Sequence, residues 1–385
     1  MTHAYLVLSR RLLHLTLAVM TAGAAAVAAE TPNPAPSPDP SPEPSPEASP
    51  AAPTPLEITA FADAYYGWHN NKTSALLRNF DVDHNTFSIN LVEVALEKKT
   101  STASRVGFRA DLDFGPTADA VASFEPSGTG KDVFKHLQQG YVGVLAGSKL
   151  QLDFGKFVTP HGAEVIESKD NWNYSRSLLF ALAIPYYHVG FRATLPLNDK
   201  VTLAGYAVNG WNNSTENNSG KTFGIGATVK PNGKVTWVAN YMTGPEQLDD
   251  NADKRHLFDT TVTVTATPKL SLMANYDYGK DTIAGTGVSW QGVALYARYQ
   301  VKDYLAITPR YEWLDDDDAF MTGTSQKVQE FTLTSEFLIA KSLITRLEFR
   351  RDFSNSAFFP TESEGVKKSQ STLTVGVIYA FGGKI

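Results

Sequence analysis

The sequence predicts an all-β protein: a transmembrane, antiparallel, up-and-down β-barrel of about 16 strands, with 14 to 18 compatible with the pattern. Three observations support this fold class. Between residues 56 and 381, segments of about ten to thirteen residues alternate apolar with polar side chains. The connections between these segments are alternately short and long. After residue 29, no segment approaches the roughly 20 consecutive apolar residues that a membrane-spanning helix requires.

The alternation is clearest in the segment from residue 105 to 114. One face carries the apolar side chains Val106, Phe108, Ala110, Leu112 and Phe114. The other face carries Arg105, Gly107, Arg109, Asp111 and Asp113. A strand separates the two sets because its side chains alternate between faces, whereas a helix would scatter them. The faces mix in 87–97, and 201–211 is apolar on both; a β-bulge or a subunit contact would explain either segment.

Candidate strands and their links form a consistent series. The strands are predicted near 57–68, 86–98, 104–114, 135–146, 149–158, 186–195, 200–211, 221–230, 234–243, 256–267, 269–279, 289–300, 303–314, 327–338, 342–353 and 371–381. Short links such as 147–148 alternate with long polar links such as 115–134. Outer-membrane barrels have this arrangement, because their periplasmic turns are tight and their outer loops are long.

Composition excludes several classes of protein. The chain has 385 residues, of which 42% are hydrophobic and 19% charged, and this excludes a disordered or collagen-like chain. Cysteine is absent, which excludes disulfides, thiolate metal sites, a cysteine nucleophile and a lipidated N-terminal cysteine. The net charge of −6 becomes −8 after residue 29, because the first 29 residues contain two arginines and no acid. An acidic chain argues against a nucleic-acid partner.

The N-terminus predicts export to another compartment. Arg10 and Arg11 precede the apolar run 12–27, and the small residues 26–28 resemble a signal-peptidase site, so residues 1–29 are predicted to be a cleaved signal peptide. An uncleaved helical anchor is the alternative. Residues 30–55 contain 11 prolines and are predicted to be a disordered spacer, with a tether or a periplasmic ligand as alternatives. The barrel is predicted over 56–385.

The longest internal connection, residues 159–185, is the main candidate for a functional element. It is too long for a turn and rich in charged and aromatic side chains. If it folds into the barrel, its charged residues would line a constriction; an external loop is the alternative. The candidate constriction residues are Glu164, Glu167, Lys169, Asp170 and Arg176.

A block within this region resembles a known family. The run Phe154-Gly155-Lys156-Phe157-Val158-Thr159-Pro160-His161-Gly162 is followed by Glu164-Val165-Ile166-Glu167, by Asp170-Asn171-Trp172-Asn173-Tyr174-Ser175-Arg176-Ser177 and by Tyr187-His188-Val189-Gly190-Phe191-Arg192-Ala193. This block is similar to the OmpL-like outer-membrane β-barrel porin family of Gram-negative bacteria. The resemblance covers most of the chain from residue 56 and implies an outer-membrane pore, but no particular solute.

Charged side chains on the polar faces of the strands are predicted to line the pore. They are Arg105, Arg109, Asp111, Asp113, Asp153, Arg192, Asp277, Arg298, Arg310, Glu312, Glu330, Glu336, Arg346, Glu348, Arg350 and Asp352. Opposed rows of charge would create a transverse field that selects solutes by charge and dipole. Alternatively, these residues form cross-strand ion pairs that stabilise the wall.

Catalytic and metal motifs are weak, so no catalytic residue, metal site or cofactor is predicted. The acidic run 315–318 does not have the spacing of an EF-hand loop and is interpreted as a solvated loop. The eight histidines form neither an H-x-x-x-H nor an H-E-x-x-H pair, and no G-x-S-x-G element is present. A hydrolase that uses scattered Ser, His and Asp residues remains a minor alternative.

The sequence therefore favours a non-enzymatic porin of the bacterial outer membrane, through which small hydrophilic solutes or ions diffuse passively. A plugged barrel with a structural or adhesion role is the alternative. The expected partners are outer-membrane lipid and the solutes. Many porins form trimers, and the doubly apolar segment 201–211 is a candidate face for a homotrimer.

Overall fold

The computed structural model describes residues 54–125 and 134–384. The predicted signal peptide 1–29 and nearly all of the predicted spacer 30–55 lie outside the described residues. Within the described ranges, no helix is long and apolar enough to cross a membrane.

Long antiparallel strands dominate the described chain. Their bounds are β1 Glu57–His69, β2 Thr86–Lys98, β3 Val106–Phe114, β4 Leu137–Ala146, β5 Leu150–Val158, β6 Tyr187–Asn198, β7 Val201–Val208, β8 Thr222–Asn232, β9 Val235–Gly244, β10 Arg255–Thr267, β11 Leu270–Ile283, β12 Thr286–Lys302, β13 Leu305–Asp316, β14 Gln326–Ala340 and β15 Leu343–Ser354. A two-stranded hairpin follows, with β16 at Phe359–Pro360 and β17 at Val366–Lys367, and then β18 at Ser369–Lys384.

These strands close into one barrel. Each long strand pairs with the next in the chain, and β18 pairs with both β15 and β1. The closing register runs from Glu57 opposite Lys384 to His69 opposite Thr372. The sixteen long strands confirm the predicted fold class and strand number. Closure matters physically because it leaves no strand edge with unpaired backbone groups in lipid.

Among the described residues, the helical turns lie in the long loops. They are α1 at Pro116–Val121, 3₁₀ turns at Ala122–Phe124 and Ser168–Asp170, and one turn of π-helix at Leu179–Ala183. The last two lie in the 28-residue connection between β5 and β6, residues 159–186, which is called loop 159–186 below.

Burial along the strands is the reverse of that in a soluble protein. In β15 the charged side chains Arg350 and Asp352 are buried, whereas Leu347 and Phe349 are exposed. Phe154 and Ile225 are exposed by 70% and 67%, respectively, while Arg350 is 0% exposed. Soluble proteins rarely bury charges or expose contiguous apolar surface. The outer surface therefore matches a lipid environment, and the polar face of each strand points into the barrel.

The links at one end of the barrel are short and most of those at the other end are long. The short links are 99–105, 147–149, 199–200, 233–234, 268–269, 303–304 and 341–342. One link at the long-loop end departs from the prediction. The candidate strands left residues 280–288 between them, but β11 and β12 continue to a two-residue turn at Ala284-Gly285. Both turn residues have positive φ, 48° and 79°, as a tight hairpin turn requires.

The two irregular segments of the sequence have local explanations. The pairing of β1 with β2 shifts register between Asp63 and Ala64, and this bulge mixes the faces of 87–97. In β7, Val208 is buried with Phe157 and Met242, while Leu203 is exposed on the other face. The bulge and the inward contacts of Val208 therefore account for the two irregular patterns within the barrel wall.

Candidate functional site

Loop 159–186 contacts inward-facing residues on widely separated strands. Its apolar part, 178–184, belongs to one buried cluster with Phe61 and Tyr65 of β1 and with Trp290 of β12. The Trp290 indole N–H donates to the Ala183 carbonyl at 3.1 Å. Strands β1 and β12 are far apart in the strand order, so these contacts bridge the inside of the barrel.

Three buried arginines of the wall donate hydrogen bonds to the backbone of loop 159–186. Arg346 of β15 donates to the carbonyls of Ser168 at 2.6 Å and Asn173 at 3.1 Å. Arg310 of β13 donates to the Ser175 carbonyl at 2.7 Å. Arg350 of β15 donates to the Arg176 carbonyl, and all three side chains are almost completely buried. An irregular loop leaves carbonyls unpaired, and the fork of guanidinium donors satisfies several of them.

Carboxylates of the wall complement the N–H groups of the same loop. Glu348 of β15 accepts from the backbone N–H of Tyr174 at 2.6 Å and of Ser175 at 2.9 Å. The Tyr174 hydroxyl donates to Asp63 of β1 at 2.8 Å. Burial and the neighbouring Asp63 raise the pKa of Tyr174 well above its ordinary value, so the hydroxyl remains a donor. Residues 173–176 are thus held from both β1 and β15.

Glycines in the wall make room for two side chains of the loop. A Cβ atom at Gly376 would lie 2.4 Å from the Tyr174 ring. A Cβ atom at Gly292 would lie 2.4 Å from a methyl group of Leu179. Any larger residue at these positions would overlap the loop. These glycines mark close approach, which is one of the meanings of glycine within a strand.

The predicted pore-lining residues, apart from Arg105, occupy inward positions, and many of them pair with one another. The buried ones are Asp111, Asp113, Asp153, Asp277, Arg310, Glu312, Glu330, Arg346, Glu348, Arg350 and Asp352. The half-buried ones are Arg109, Arg192, Arg298 and Glu336. Ion pairs join Arg109 to Asp111, Arg192 to Asp153, Arg298 and Arg346 to Glu336, Arg310 to Glu164, Glu312 and Glu330, and Arg350 to Asp352.

Arg105 lies elsewhere. It precedes β3 at the short-link end, is exposed, and donates to the carbonyls of Leu145 at 3.2 Å and Gly147 at 2.6 Å. Its parity agrees with an inward position, but the strand has not yet begun at this residue. Alternation predicts which face of the strand a side chain lies on, but not its position along the barrel axis. Arg105 lies at the rim of the barrel.

The five predicted constriction residues divide into two groups. Glu164, Glu167 and Arg176 are buried, whereas Lys169 is half-buried, Asp170 is exposed, and these last two pair with each other. Glu164 contacts Arg310 at 2.8 Å. Glu167 accepts from Gln138 at 2.8 Å. Arg176 does not line a passage, because its guanidinium donates to the carbonyls of Val165, Tyr174 and Ile166 and so holds the loop together.

Sequence reasoning missed several buried charges. Asp63 and Asp259 have the parity of inward residues and could have been found from their strands. Glu93 lies beside the bulge, where parity fails. Arg78 has no sequence signal, because it lies in the β1–β2 loop; it pairs with Asp81 and donates to the Thr372 hydroxyl at 2.8 Å.

Two cavities lie on different parts of the inner surface. One, about 590 Å³, is lined by Ile184, Tyr186, Trp211 and Phe320 and includes residues of the long loops. The other, about 450 Å³, is lined by residues such as Lys99 at the short-link end, and by Asp153, Arg192 and Asn240. Loop 159–186 contributes Ile184 and Tyr186 to the first cavity and Pro160 to the second.

The acidic run 315–318 has structural partners. Asp316 is buried and accepts from the backbone N–H groups of Phe320 at 2.8 Å and Thr322 at 2.7 Å. Lys327 pairs with Asp315 and Asp317. Asp318 accepts from Ser289 at 2.8 Å. In the part of the chain that the structure describes, no group of three or more His, Asp or Glu residues could hold a metal ion.

One contact between a hydroxyl and histidines lies in loop 159–186. Thr159 Oγ1 lies 3.1 Å from His161 Nδ1 and 3.2 Å from His188 Nε2. The other nitrogen of His188 contacts the Gly210 carbonyl and not a carboxylate. Burial lowers the pKa of His161 to about 3, so this imidazole stays neutral near pH 7. The arrangement lacks the orienting acid of a catalytic triad.

Comparison with known proteins agrees with this architecture. The model of the family described as "Putative beta-barrel porin-2, OmpL-like" matches residues 55–381. No curated protein sequence matches the chain.

Solved outer-membrane proteins share the fold at low sequence identity. The trimer form of OmpT from Vibrio cholerae has a TM-score of 0.58 at 11% identity over 86% of this chain and 100% of that chain. The anion-selective porin from Comamonas acidovorans has a TM-score of 0.58 at 11% identity over 85% and 99% of the two chains. The channel DcaP of Acinetobacter baumannii has a TM-score of 0.55 at 14% identity over 85% and 96%. The family match extends over almost the whole barrel, and the chain therefore belongs to the OmpL-like β-barrel porins.

Proposed function

We propose that this protein is an outer-membrane porin through which small hydrophilic solutes or ions diffuse passively, and that loop 159–186 restricts the passage. One observation carries the proposal: Arg310, Arg346 and Arg350 hold the loop across the inside of a closed barrel. A loop that is held by side chains narrows the pore. It does not seal the pore through backbone pairing with the strands. Its anchors are side chains, so substitution can test its role.

The proposed orientation follows from the links. The short links and both chain ends would face the periplasm, and the long loops would face the outside. Export would use residues 1–29 as a cleaved signal peptide, with 30–55 as a spacer. N-terminal sequencing of the protein from outer membranes tests this; a first residue upstream of 28 would contradict it.

Planar-bilayer recording tests the channel. Purified protein should raise the conductance of the bilayer in discrete steps in potassium chloride. Reversal potentials in asymmetric salt should change when Arg109 or Arg192 is neutralised, because these side chains are half-buried on the inward face. Neutralising the rim residue Arg105 should have a smaller effect. Repeated absence of conductance steps with correctly folded protein would contradict the proposal.

A plugged barrel is the second candidate function, and the apolar cluster around 178–184 favours it. The buried residues Leu178, Leu179 and Ala183 leave no accessible surface of their own. A tightly packed loop would block solutes and leave the protein with a structural role. Solute uptake into proteoliposomes separates the candidates, because a plugged barrel stays impermeable whereas a restricted pore admits small solutes.

We also propose that the barrel assembles as a homotrimer, by analogy with the trimer form of Vibrio cholerae OmpT. Light scattering of the detergent-solubilised protein tests this, and a monomer mass would contradict it.

A further inference from the structure

The cavity of about 590 Å³ at the long-loop end has the composition of a solute-binding site. Ile184 and Tyr186 of loop 159–186 contribute to its lining, together with Trp211 and Phe320 of other long loops. Small-molecule sites are concave, largely apolar and about 300–1,000 Å³ in volume, with a few placed polar groups. This cavity is bordered by the element that restricts the proposed passage, so a solute from outside would meet it before the passage narrows.

Two buried amide side chains on the cavity wall have polar atoms without a hydrogen-bond partner among the described residues. Asn213 is 4% exposed, and its side chain makes no hydrogen bond to any described residue. Asn212 Oδ1 accepts from the Tyr186 N–H at 2.6 Å, but its Nδ2 has no partner among the described residues. Buried polar groups normally find partners, and those that line a cavity can find them in water or in a solute.

The backbone that presents these amides is strained. Asn212 has a φ of 58° and the nearby Gly210 a φ of 148°. A left-handed conformation is uncommon outside glycine, and such residues cluster at binding sites. Here the strained backbone lets Asn212 cap the start of β6 with its oxygen while its nitrogen stays available.

Aromatic rings border the same cavity. The Arg255 guanidinium lies 4.8 Å from the centre of the Trp211 ring and 5.4 Å from that of Phe320. Trp211 also packs edge-on to Trp290 at 6.1 Å. Trp211 is half-buried, so part of its indole remains accessible from the cavity.

Charges around the cavity largely compensate one another. Arg255 is paired with Asp281 at 2.7 Å. Glu246 is the acidic group in the lining, and it accepts from the Thr222 hydroxyl at 2.6 Å and from the backbone N–H of Trp211 at 2.8 Å. An anion in the cavity would meet Glu246, and a cation would meet Arg255. The charge distribution therefore favours a neutral solute.

From these observations we propose that the cavity binds a neutral carbohydrate ring, and that it is the first binding site on the path into the pore. Sugar rings combine an apolar C–H face, which packs on aromatic surface, with hydroxyl groups, which both donate to and accept from amides. Trp211 supplies the aromatic surface, and Asn212 and Asn213 supply the amides. The inference rests on the proposed porin function, because it places the site on the path of a solute into the pore. Binding itself can be measured without conduction.

Titrations of the detergent-solubilised protein test the inference. Tryptophan fluorescence is followed with glucose, maltose, glucuronate and glucosamine, so that similar rings carry no charge, a negative charge or a positive charge. Glucose or maltose should give a saturable change, and glucuronate and glucosamine should bind more weakly. Tightest binding of glucuronate or glucosamine would overturn the proposal, as would the absence of saturation with both neutral sugars.

Variants locate the binding. Asn213→Ala should weaken maltose binding about fivefold, because one hydrogen bond is worth about 1 kcal/mol. Trp211→Ala should weaken it to a similar degree, and Trp237→Ala is the matched control, because Trp237 is exposed on the outside of the barrel. Unchanged binding in Asn213→Ala would overturn the proposal even if Trp211→Ala fails to fold.

Bilayer recording in potassium chloride separates this inference from the proposed function. Conductance steps without sugar binding would reject the carbohydrate site and leave the channel intact. Sugar binding without conductance steps would reject the channel and keep the site.

Discussion

Buried arginines are the residues that most clearly relate this sequence to its proposed function. Arg310, Arg346 and Arg350 stand at positions that alternation assigns to the lumen. In the structure their donors are used by carboxylates and by loop carbonyls, so in the proposed porin they would act on the passage through the loop that they hold. A charge that is paired and dehydrated contributes little field to a pore, whereas a half-buried charge such as Arg192 keeps contact with water.

Arg346→Met is the single substitution that most specifically weakens the attachment of loop 159–186 to the barrel wall. The change removes hydrogen bonds to Ser168 and Asn173, while Glu336 keeps Arg298 as a partner at 2.7 Å. We expect the free energy of unfolding to fall by about 1–3 kcal/mol, because buried carbonyls lose donors. Single-channel conductance should rise as the loop loosens.

Arg351→Met is the matched control for this prediction, because Arg351 lies on the same strand but is exposed. It should leave conductance and stability unchanged. Bilayer recording and urea unfolding in detergent measure the two effects. Equal conductance of the Arg346→Met variant and the wild type would show that this arginine does not hold a restricting loop.

Glu246 should give the protein a titration near neutral pH. Burial raises the pKa of this carboxyl from its ordinary value of 4.5 to about 7, although Arg255 and the Trp211 N–H act in the opposite direction. The folded state therefore binds a proton more tightly than the unfolded state, and stability should fall as pH rises from about 4.5 to about 7. Because the backbone N–H of Trp211 donates to this carboxylate, the fluorescence of Trp211 should change with a midpoint near 7.

The control is Glu246→Gln, which keeps the shape of the side chain and cannot titrate. Subtracting the fluorescence titration of the variant from that of the wild type isolates the contribution of Glu246. The subtraction removes the contributions of the histidines and of tryptophans other than Trp211. A midpoint below 5 in that difference would contradict a raised pKa.

At the scale of elements, loop and wall are matched through small residues. Tyr174 and Leu179 of loop 159–186 lie against Gly376 of β18 and Gly292 of β12, where a Cβ atom would overlap them. The conformation of the loop is thus fixed by the opposite wall as much as by its own sequence. Packing of this kind is sensitive to single methyl groups.

Gly376→Ala should displace Tyr174 from the wall. The added Cβ would lie 2.4 Å from the ring, so the loop must shift. We expect a loss of about 1–3 kcal/mol in unfolding free energy from overpacking and an altered single-channel conductance.

Gly205→Ala is the control at this scale, because Gly205 lies within β7 and a Cβ there meets nothing within 4 Å. Urea unfolding and bilayer recording compare the two variants. If both variants behave like wild type, the close approach of Tyr174 to β18 does not determine the position of the loop.

At the scale of the whole molecule, the exposed apolar band defines where the protein can be stable. The outer faces of all regions of the barrel carry exposed residues such as Phe154, Ile225 and Leu373, and the inner faces carry buried polar ones. In water this surface would promote aggregation, and in lipid it is the favourable one.

Ile225→Arg should destabilise the barrel in lipid vesicles by about 2–4 kcal/mol, because it places a charge on the lipid face. Thr228→Arg, on the same strand, is the control, because Thr228 lines the cavity at the short-link end. Urea unfolding from vesicles should show the larger loss for Ile225→Arg. Equal losses would contradict the assigned faces of β8.

How much of the fold the sequence predicts depends on the range of the interaction. Strand number, pairing order and the face of each side chain follow from the period of two and from link lengths, because both are local properties of the chain. The candidate strands ended too early on both sides of 280–288, since polar residues such as Asp281 continue β11. The ion-pair partner of Asp281 is Arg255 at the start of the neighbouring strand β10, a contact that the local pattern does not show. The bulge at Asp63 likewise has no clear local signal.

The sequence by itself therefore determined that this chain is a membrane barrel with a polar interior and one unusually long connection. Only the tertiary structure decided what the interior charges do. Alternation places Arg346 and Arg105 on the same kind of face, yet one holds the loop and the other lies at the rim. The physical reason is that parity is set by neighbouring residues along one strand, whereas depth, partner and hydration depend on which strands and loops meet inside the closed barrel.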